Sequence, residues 1–101
     1  MFKHILFIKF DDRENAKKAK ALLEGLKDQI PQIVDIECGL DEVCSARSFD
    51  LGMIMTFNSR EEYEIYDEAE PHQAVRKFIQ SVRTGSATVD FTIAPKSNLD
   101  K

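Results

Sequence analysis

The chain opens with the stretch FKHILFIKF, residues 2–10, in which polar and apolar side chains recur with the two-residue period of a β-strand. One face of this strand would hold Phe2, His4, Leu6, Ile8 and Phe10, and the other would hold Lys3, Ile5, Phe7 and Lys9. Both faces carry apolar side chains, which is typical of a strand that is covered on both sides. A similar stretch spans Phe49–Phe57, so these two strands are predicted to lie at the centre of one sheet.

A helix and an edge strand are predicted between the two central strands. Asp11 and Asp12 offer N-caps to a segment whose apolar residues recur at helical spacing, and Pro31 predicts that this helix ends near residue 29. The following strand alternates between an apolar set, Val34, Ile36 and Cys38, and an acidic set, Asp35 and Glu37. Because only one of its faces is apolar, this strand is predicted to lie at an edge of the sheet.

A second helical region and a last strand complete the pattern. Ser59 and Glu62 have the spacing of a capping box, which predicts a helix start, and Pro71 is expected to interrupt or restart that helix. After this proline, one helical stripe holds His72, Val75, Ile79 and Val82. The last strand is predicted over residues 87–93, with apolar side chains at the odd positions and polar side chains at the even positions.

The predicted order is strand, helix, strand, strand, helix, strand. This is the βαββαβ order of the ferredoxin-like fold, an α+β architecture with an antiparallel four-stranded sheet. The helices would cover one face of the sheet. The other face would be apolar and exposed in a monomer, which predicts a homodimer joined through this face as a dimeric α/β barrel.

The composition indicates one small folded domain. With 101 residues and 11.6 kDa the chain has room for a single domain, assigned here to residues 1–95, followed by a polar tail over residues 96–101. A net charge of −4 argues against nucleic acid as a partner. Because no apolar stretch approaches the roughly 20 residues of a membrane helix, no membrane partner is expected. Cys38 and Cys44 lack zinc-site spacing, so no metal or cofactor is predicted, and reduced thiols favour the cytoplasm.

His4, Tyr66 and His72 are the candidate site residues. Both histidines fall on apolar faces, one on a central strand and one on the second helical region, where they would meet across the interior. An imidazole exchanges a proton near neutral pH, and a tyrosine hydroxyl stabilises a developing oxyanion. The alternative is that all three are core residues satisfied by the backbone or by water.

The remaining polar residues favour structural roles. Tyr63 is expected to be a packing residue, and Asp90 is expected to face solvent or an interface. The acidic residues Asp67, Glu68 and Glu70 are expected to form a solvent-facing turn beside a helix start.

Short motifs along nearly the whole chain resemble the stress-responsive α/β barrel (Dabb) family in their order and spacing. They lie at residues 2–10, 30–33, 37–39, 49–57, 66–78 and 89–91. Members of this family are dimeric ferredoxin-like barrels, and many have no assigned activity. The resemblance therefore implies a homodimer of uncharacterised activity that binds a small molecule in a pocket between sheet and helices.

The second helix of the family often carries Tyr-x-x-His-Pro-x-His. Here Tyr66 and His72 keep the separation of the first and last residues, whereas Ala69 replaces the first His and the proline lies one place later. In plant polyketide cyclases similar to this family, the matching Tyr and His act in aldol-type ring closure with the His as base. The resemblance implies these roles for Tyr66 and His72, with His4 matching a further pocket His and Leu51 replacing another.

Three functions remain open from the sequence. The first is a dimer that binds a small molecule without turnover. The second is a cofactor-independent enzyme with His72 as general base, Tyr66 as hydroxyl donor and His4 as a positioning group. The third is an interaction module in which the pocket is incidental. A cofactor-free oxygenase would rest on fold analogy alone.

Overall fold

The computed structural model describes residues 1–94, which form one antiparallel sheet with helices on one of its faces. The elements are β1 (Phe2–Phe10), α1 (Arg13–Gln29), β2 (Ile33–Leu40), β3 (Leu51–Phe57), α2 (Arg60–Glu68), α3 (Glu70–Val82) and β4 (Arg83–Thr92). The strand order is β2-β3-β1-β4, which is the ferredoxin-like α+β arrangement predicted from the sequence. The predicted tail over residues 96–101 lies outside the described residues. No helix within residues 1–94 is both long and apolar enough to span a bilayer.

The two strands predicted to be central are central. β1 pairs with β3 on one side and with β4 on the other, so that Ile5 lies opposite both Ile54 and Val89. β2 lies at an edge, as predicted. The helix-covered face of the two central strands supplies most of the core, including Ile8, Met55 and Phe57.

The helix boundaries follow local capping signals. The Asp12 carboxylate accepts a hydrogen bond of 2.9 Å from the Asn15 amide at the start of α1. The Ser59 hydroxyl accepts one of 3.2 Å from the Glu62 amide at the start of α2. Ala69 is extended and separates α2 from α3, with Pro71 in the first turn of α3 as predicted.

Three strand details differ from the prediction. β4 begins at Arg83 instead of residue 87, because the polar segment after α3 pairs at once with the end of β1, where the register shifts between Lys9 and Phe10. β3 begins at Leu51 instead of Phe49. In β2 the register shifts between Ile33 and Asp35. This bulge puts Ile33 in the core and leaves Val34 exposed, so the predicted placement of Val34 on the buried face is wrong.

The sheet face opposite the helices is apolar and uncovered in the single chain. We name it the open sheet face and define it by Ile5, Phe7, Ile54, Val89 and Phe91. Four of these side chains are markedly exposed: Phe7 by 42%, Ile54 by 37%, Val89 by 56% and Phe91 by 39%. Contiguous exposed apolar faces are common at interaction surfaces of proteins.

Candidate functional site

A cavity of about 220 Å³ lies between the helix-covered face of the sheet and α2 and α3. His4, Tyr66 and His72 all line it, so the structure brings the three predicted site residues together. Tyr63, predicted to be a packing residue, lines it as well. The apolar part of the lining consists of Leu6, Ile8, Leu23, Val75 and Ile79. A concave apolar site with a few convergent polar groups is the usual form of a small-molecule site.

The break at Ala69 positions two of these side chains. Tyr66 is in the last turn of α2, and His72 is in the first turn of α3. Their rings stack with centroids 4.3 Å apart and planes inclined by 27°. The His4 ring, projecting from β1, lies 6.4 Å from the Tyr66 ring and 5.1 Å from the Tyr63 ring. Four ionisable rings therefore converge at one end of the cavity.

His72 is held in one orientation and one tautomer. Its Nδ1–H donates a hydrogen bond of 2.8 Å to the Asp67 carbonyl, and a carbonyl oxygen only accepts. In the neutral ring the lone pair is therefore on Nε2. Burial lowers the pKa of His72, and the nearby Arg76 guanidinium lowers it further. The imidazole is consequently neutral at pH 7 and able to accept a proton.

Tyr66 has the opposite chemistry. Its side chain is 1% exposed, and this burial raises its pKa well above the usual value, with neighbouring Tyr63 and Asp67 adding to the effect. The phenol therefore stays protonated at neutral pH. Within residues 1–94 its hydroxyl makes no hydrogen bond, and Tyr66 lines the cavity. It can donate to a molecule in the cavity.

Asp90 does not line the cavity, but it contacts His4, which does. It pairs with His4 across β1 and β4, and His4 Nδ1–H donates a hydrogen bond to the Asp90 carboxylate. Asp90 is exposed, as expected, and its bond to His4 is an additional contact that was not predicted. This contact depends on the strand register, because Asp90 lies opposite His4 only in the pairing of β1 with β4 that the structure adopts.

Asp67 was also assigned to a solvent-facing turn, and that prediction is wrong. Its side chain is half-buried and accepts a hydrogen bond of 2.7 Å from Arg76 Nη2, while its carbonyl anchors His72 and Gln73. Its neighbours Glu68 and Glu70 are exposed, as expected.

The other end of the cavity is polar and was not predicted. It is lined by Gln80 from the end of α3 and by Arg83, Ser86 and Thr88 from β4. Arg83 Nη1 donates a hydrogen bond of 2.8 Å to the Ser86 hydroxyl. The helical spacing of His72, Arg76 and Arg83 is the sequence signal that could have indicated these residues.

The two family positions that lack histidine have structural roles here. Leu51 is fully buried in the core beneath the helices, and Ala69 forms the cap between α2 and α3. Residues 1–94 contain no cluster of three or more His, Cys, Asp or Glu side chains that could hold a metal ion.

Several solved structures share this fold. A structure from Bacteroides fragilis, described as a dimeric protein of unknown function with a ferredoxin-like fold, is 21% identical with a TM-score of 0.76, covering 91% of this chain and 95% of that chain. A protein from Arabidopsis thaliana is 18% identical with a TM-score of 0.82, covering 96% and 99%. The hydroxynitrile lyase from Passiflora edulis is 16% identical with a TM-score of 0.82, covering 95% of each chain. At these identities the likeness concerns the fold.

The sequence of the chain identifies its protein family. No curated protein has significant sequence similarity to the chain. The family profile described as the stress-responsive A/B barrel domain, however, matches residues 2–93, which is nearly the whole chain. These residues include every strand and helix and all of the cavity lining. The chain therefore belongs to the stress-responsive A/B barrel (Dabb) domain family.

Proposed function

We propose that this protein binds a small molecule in the cavity between the sheet and the helices, and that it does so as a homodimer joined through the open sheet face. The observation that carries the binding proposal is the convergence of His4, Tyr66 and His72 on one cavity of about 220 Å³. In a purely structural module every polar group of these rings would have a partner within the protein, as His4 Nδ1 and His72 Nδ1 do. Here the Tyr66 hydroxyl is available to a ligand instead.

The dimer is supported by the open sheet face. Its apolar side chains would contact water in a single chain, and face-to-face packing of two sheets removes them from water. The Bacteroides fragilis structure of the same fold is described as dimeric. On the argument of the sequence and its cysteines we place this homodimer in the cytoplasm, without a cofactor.

A matched pair of variants tests the binding proposal. Thr88 lines the cavity, whereas Thr84, on the same strand, does not. Thr88→Trp fills the space beside Leu6, so we expect it to weaken binding of cavity ligands at least tenfold, while Thr84→Trp leaves binding unchanged. Ligands are found by observing backbone amide shifts during a screen of small carbonyl and aromatic compounds. Shifts that cluster away from the cavity and persist in Thr88→Trp would overturn the proposal.

A second candidate function is acid–base catalysis without a cofactor, and the geometry of His72 favours it. With Nδ1–H bound to the Asp67 carbonyl, Nε2 is the atom available to take a proton from a carbon next to a carbonyl group. The resulting enolate carbon attacks a second carbonyl and forms the new C–C bond. The Tyr66 hydroxyl donates a hydrogen bond to the oxygen that becomes negative, and the proton on Nε2 then returns to the alkoxide.

The role of each residue in this aldol-type reaction can be separated. We expect Tyr66→Phe and His72→Gln each to reduce kcat by about 10²-fold or more, the usual size of a proton-transfer contribution, with ligand affinity retained. Arg60→Gln is the control, because Arg60 pairs with Glu64 outside the cavity. Turnover that survives in both Tyr66→Phe and His72→Gln would contradict these roles and leave binding as the function.

A further inference from the structure

The cavity has two chemically different ends. The first end holds the rings of His4, Tyr66 and His72, and the second holds Gln80, Arg83 and Ser86. Apolar side chains also line the cavity, and Leu6, opposite Thr88, lies between the two ends along β1. A ligand that fills this cavity therefore meets proton-transfer groups at one end and a guanidinium at the other.

The charges of the two cavity-lining arginines are balanced differently. Arg76 Nη2 lies 2.7 Å from an Asp67 carboxylate oxygen, so the two charges largely cancel. Arg83 donates to the uncharged Ser86 hydroxyl, and within residues 1–94 no carboxylate lies within ion-pair distance of it. One positive charge is thus left without a partner at this end, in a chain whose net charge is −4.

The elements on either side of the cavity set the distance between its ends. Along β1 the lining residues His4 and Ile8 are four positions apart, which corresponds to about 13 Å at the rise of a strand. Ile8 lies opposite Ser86, the partner of the Arg83 guanidinium. Along α3 the step from His72 to Arg83 is 11 positions, about 16 Å at the rise of a helix. The distance along β1 and the distance along α3 therefore give similar separations between the two ends of the cavity.

We propose that the ligand of this cavity is an elongated organic acid whose carboxylate pairs with Arg83 and whose carbonyl or hydroxyl group lies beside the Tyr66 hydroxyl and His72 Nε2. This inference rests on the proposed function, since it assigns a substrate class to the same cavity. A guanidinium presents a planar fork of donors that matches a carboxylate. A single unpartnered guanidinium suits one negative charge better than the nearly two charges of a phosphate monoester.

The experiment compares three probes of equal chain length, octanoate, octanol and octylammonium, by calorimetric titration of the full chain. We expect octanoate to bind at least tenfold more tightly than octanol, and octylammonium to bind most weakly. Arg83→Gln should lower the affinity for octanoate at least tenfold and leave the affinity for octanol unchanged. The octanoate affinity of Arg83→Lys should lie between those of Arg83→Gln and the wild-type protein. Arg60→Gln is the matched control, since Arg60 pairs with Glu64 outside the cavity and should leave all affinities unchanged.

The outcomes separate this inference from the proposed function. Equal affinity for octanoate and octanol, both lost in Thr88→Trp, would overturn the assignment of an acid while the cavity remains a binding site. The same loss of octanoate affinity in Arg60→Gln and Arg83→Gln would also overturn it, because the effect would then be nonspecific. Binding of both probes that survives in Thr88→Trp would overturn the inference and the proposed cavity together. Octanoate that fails to bind wild type at millimolar concentration would overturn the inference alone.

Discussion

The two faces of the sheet differ most clearly along β4. The side chains of Ser86, Thr88 and Asp90 belong to the helix-covered face, and those of Ala87, Val89 and Phe91 belong to the open sheet face. An antiparallel strand in a single folded chain ordinarily shows the reverse, with apolar residues beneath the helices and polar residues toward water. The inverted pattern of β4 fits the proposed function, in which its polar face borders the cavity and its apolar face borders the partner copy.

β1 differs from β4 in this respect. On its helix-covered face Phe2, Ile8 and Phe10 are buried and Leu6 is partly buried. The one polar residue of this face, His4, is also buried and bonds to Asp90 of β4. The core is therefore built on β1 and β3, while β4 contributes mainly to the two surfaces where other molecules would be bound. The following predictions test this division, from the largest expected effect to the smallest.

Charge on the open sheet face should prevent dimerisation. Val89→Asp combined with Phe91→Asp places four carboxylates in the proposed twofold interface and removes four apolar side chains, each worth roughly 1.5–3 kcal/mol when buried. We expect the dimer dissociation constant to rise more than a thousandfold, as measured by light scattering over a dilution series. Val43→Asp is the control, because Val43 is 79% exposed in the loop before β3. A double variant that remains dimeric would place the interface elsewhere.

Adjacent residues of β3 should separate the two faces energetically. Met55 is fully buried under the helices, and its neighbour Ile54 lies on the open sheet face. Met55→Ala should lower the free energy of unfolding by about 2–5 kcal/mol at every protein concentration. Ile54→Ala should lower it by less, and its effect should increase with protein concentration because the dimer stabilises the fold by mass action. Urea denaturation at two protein concentrations measures the free energy of unfolding of both variants. A loss of stability in Ile54→Ala that does not depend on protein concentration would contradict the proposed interface.

The His4–Asp90 pair should contribute modestly to stability. Asp90→Asn keeps the shape of the side chain and removes the charge that accepts the His4 hydrogen bond. We expect a loss of about 1 kcal/mol in the free energy of unfolding at pH 7, typical of a partly exposed charge-assisted bond. Asp28→Asn, at an exposed position of α1, is the control. An equal effect in both variants would show that the cross-strand bond adds nothing.

The lowered pKa of His72 should produce the smallest effect, a loss of stability in mild acid. Above the unfolded-state pKa of about 6.5 the imidazole is neutral in both states and contributes nothing. As the pH falls below this value the unfolded chain binds the proton first, so stability decreases until the pH passes the lower folded-state pKa. His72→Gln retains an amide donor for the Asp67 carbonyl and should lose less stability between pH 7 and pH 5 than wild type. Wild type and His72→Gln whose free energies of unfolding change equally with pH would contradict this prediction.

The fold could be predicted because its signals are local. Alternation over residues 2–10 identified a central strand, Asp12 and Ser59 marked two helix starts, and Pro71 marked a third. The errors occurred where pairing, rather than composition, decides structure. The polar residues after Arg83 form a strand because the edge of β1 is available to them, and Val34 leaves the buried face because of a bulge.

The candidate site could be predicted only in part, for a similar reason. Tyr66 and His72 are six positions apart and meet through a helix break that Pro71 signals, so their proximity follows from local sequence. Asp90 is 86 positions from His4, and only the strand register brings the two together. Arg83 was missed because the last strand was predicted to begin at residue 87, whereas β4 begins at Arg83 and places it at the cavity.

The bulge at Val34 has a consequence for how copies of this chain can assemble. A regular strand at the edge of a sheet is a template for pairing with further strands, which leads to open-ended polymers. In β2 the bulge interrupts the ladder, and the carboxylates of Asp35 and Glu37 repel a second copy of the same edge. The addition of further chains at the β2 edge is therefore disfavoured. Face-to-face packing about a twofold axis uses the same surface on each copy, so this assembly stops at a dimer.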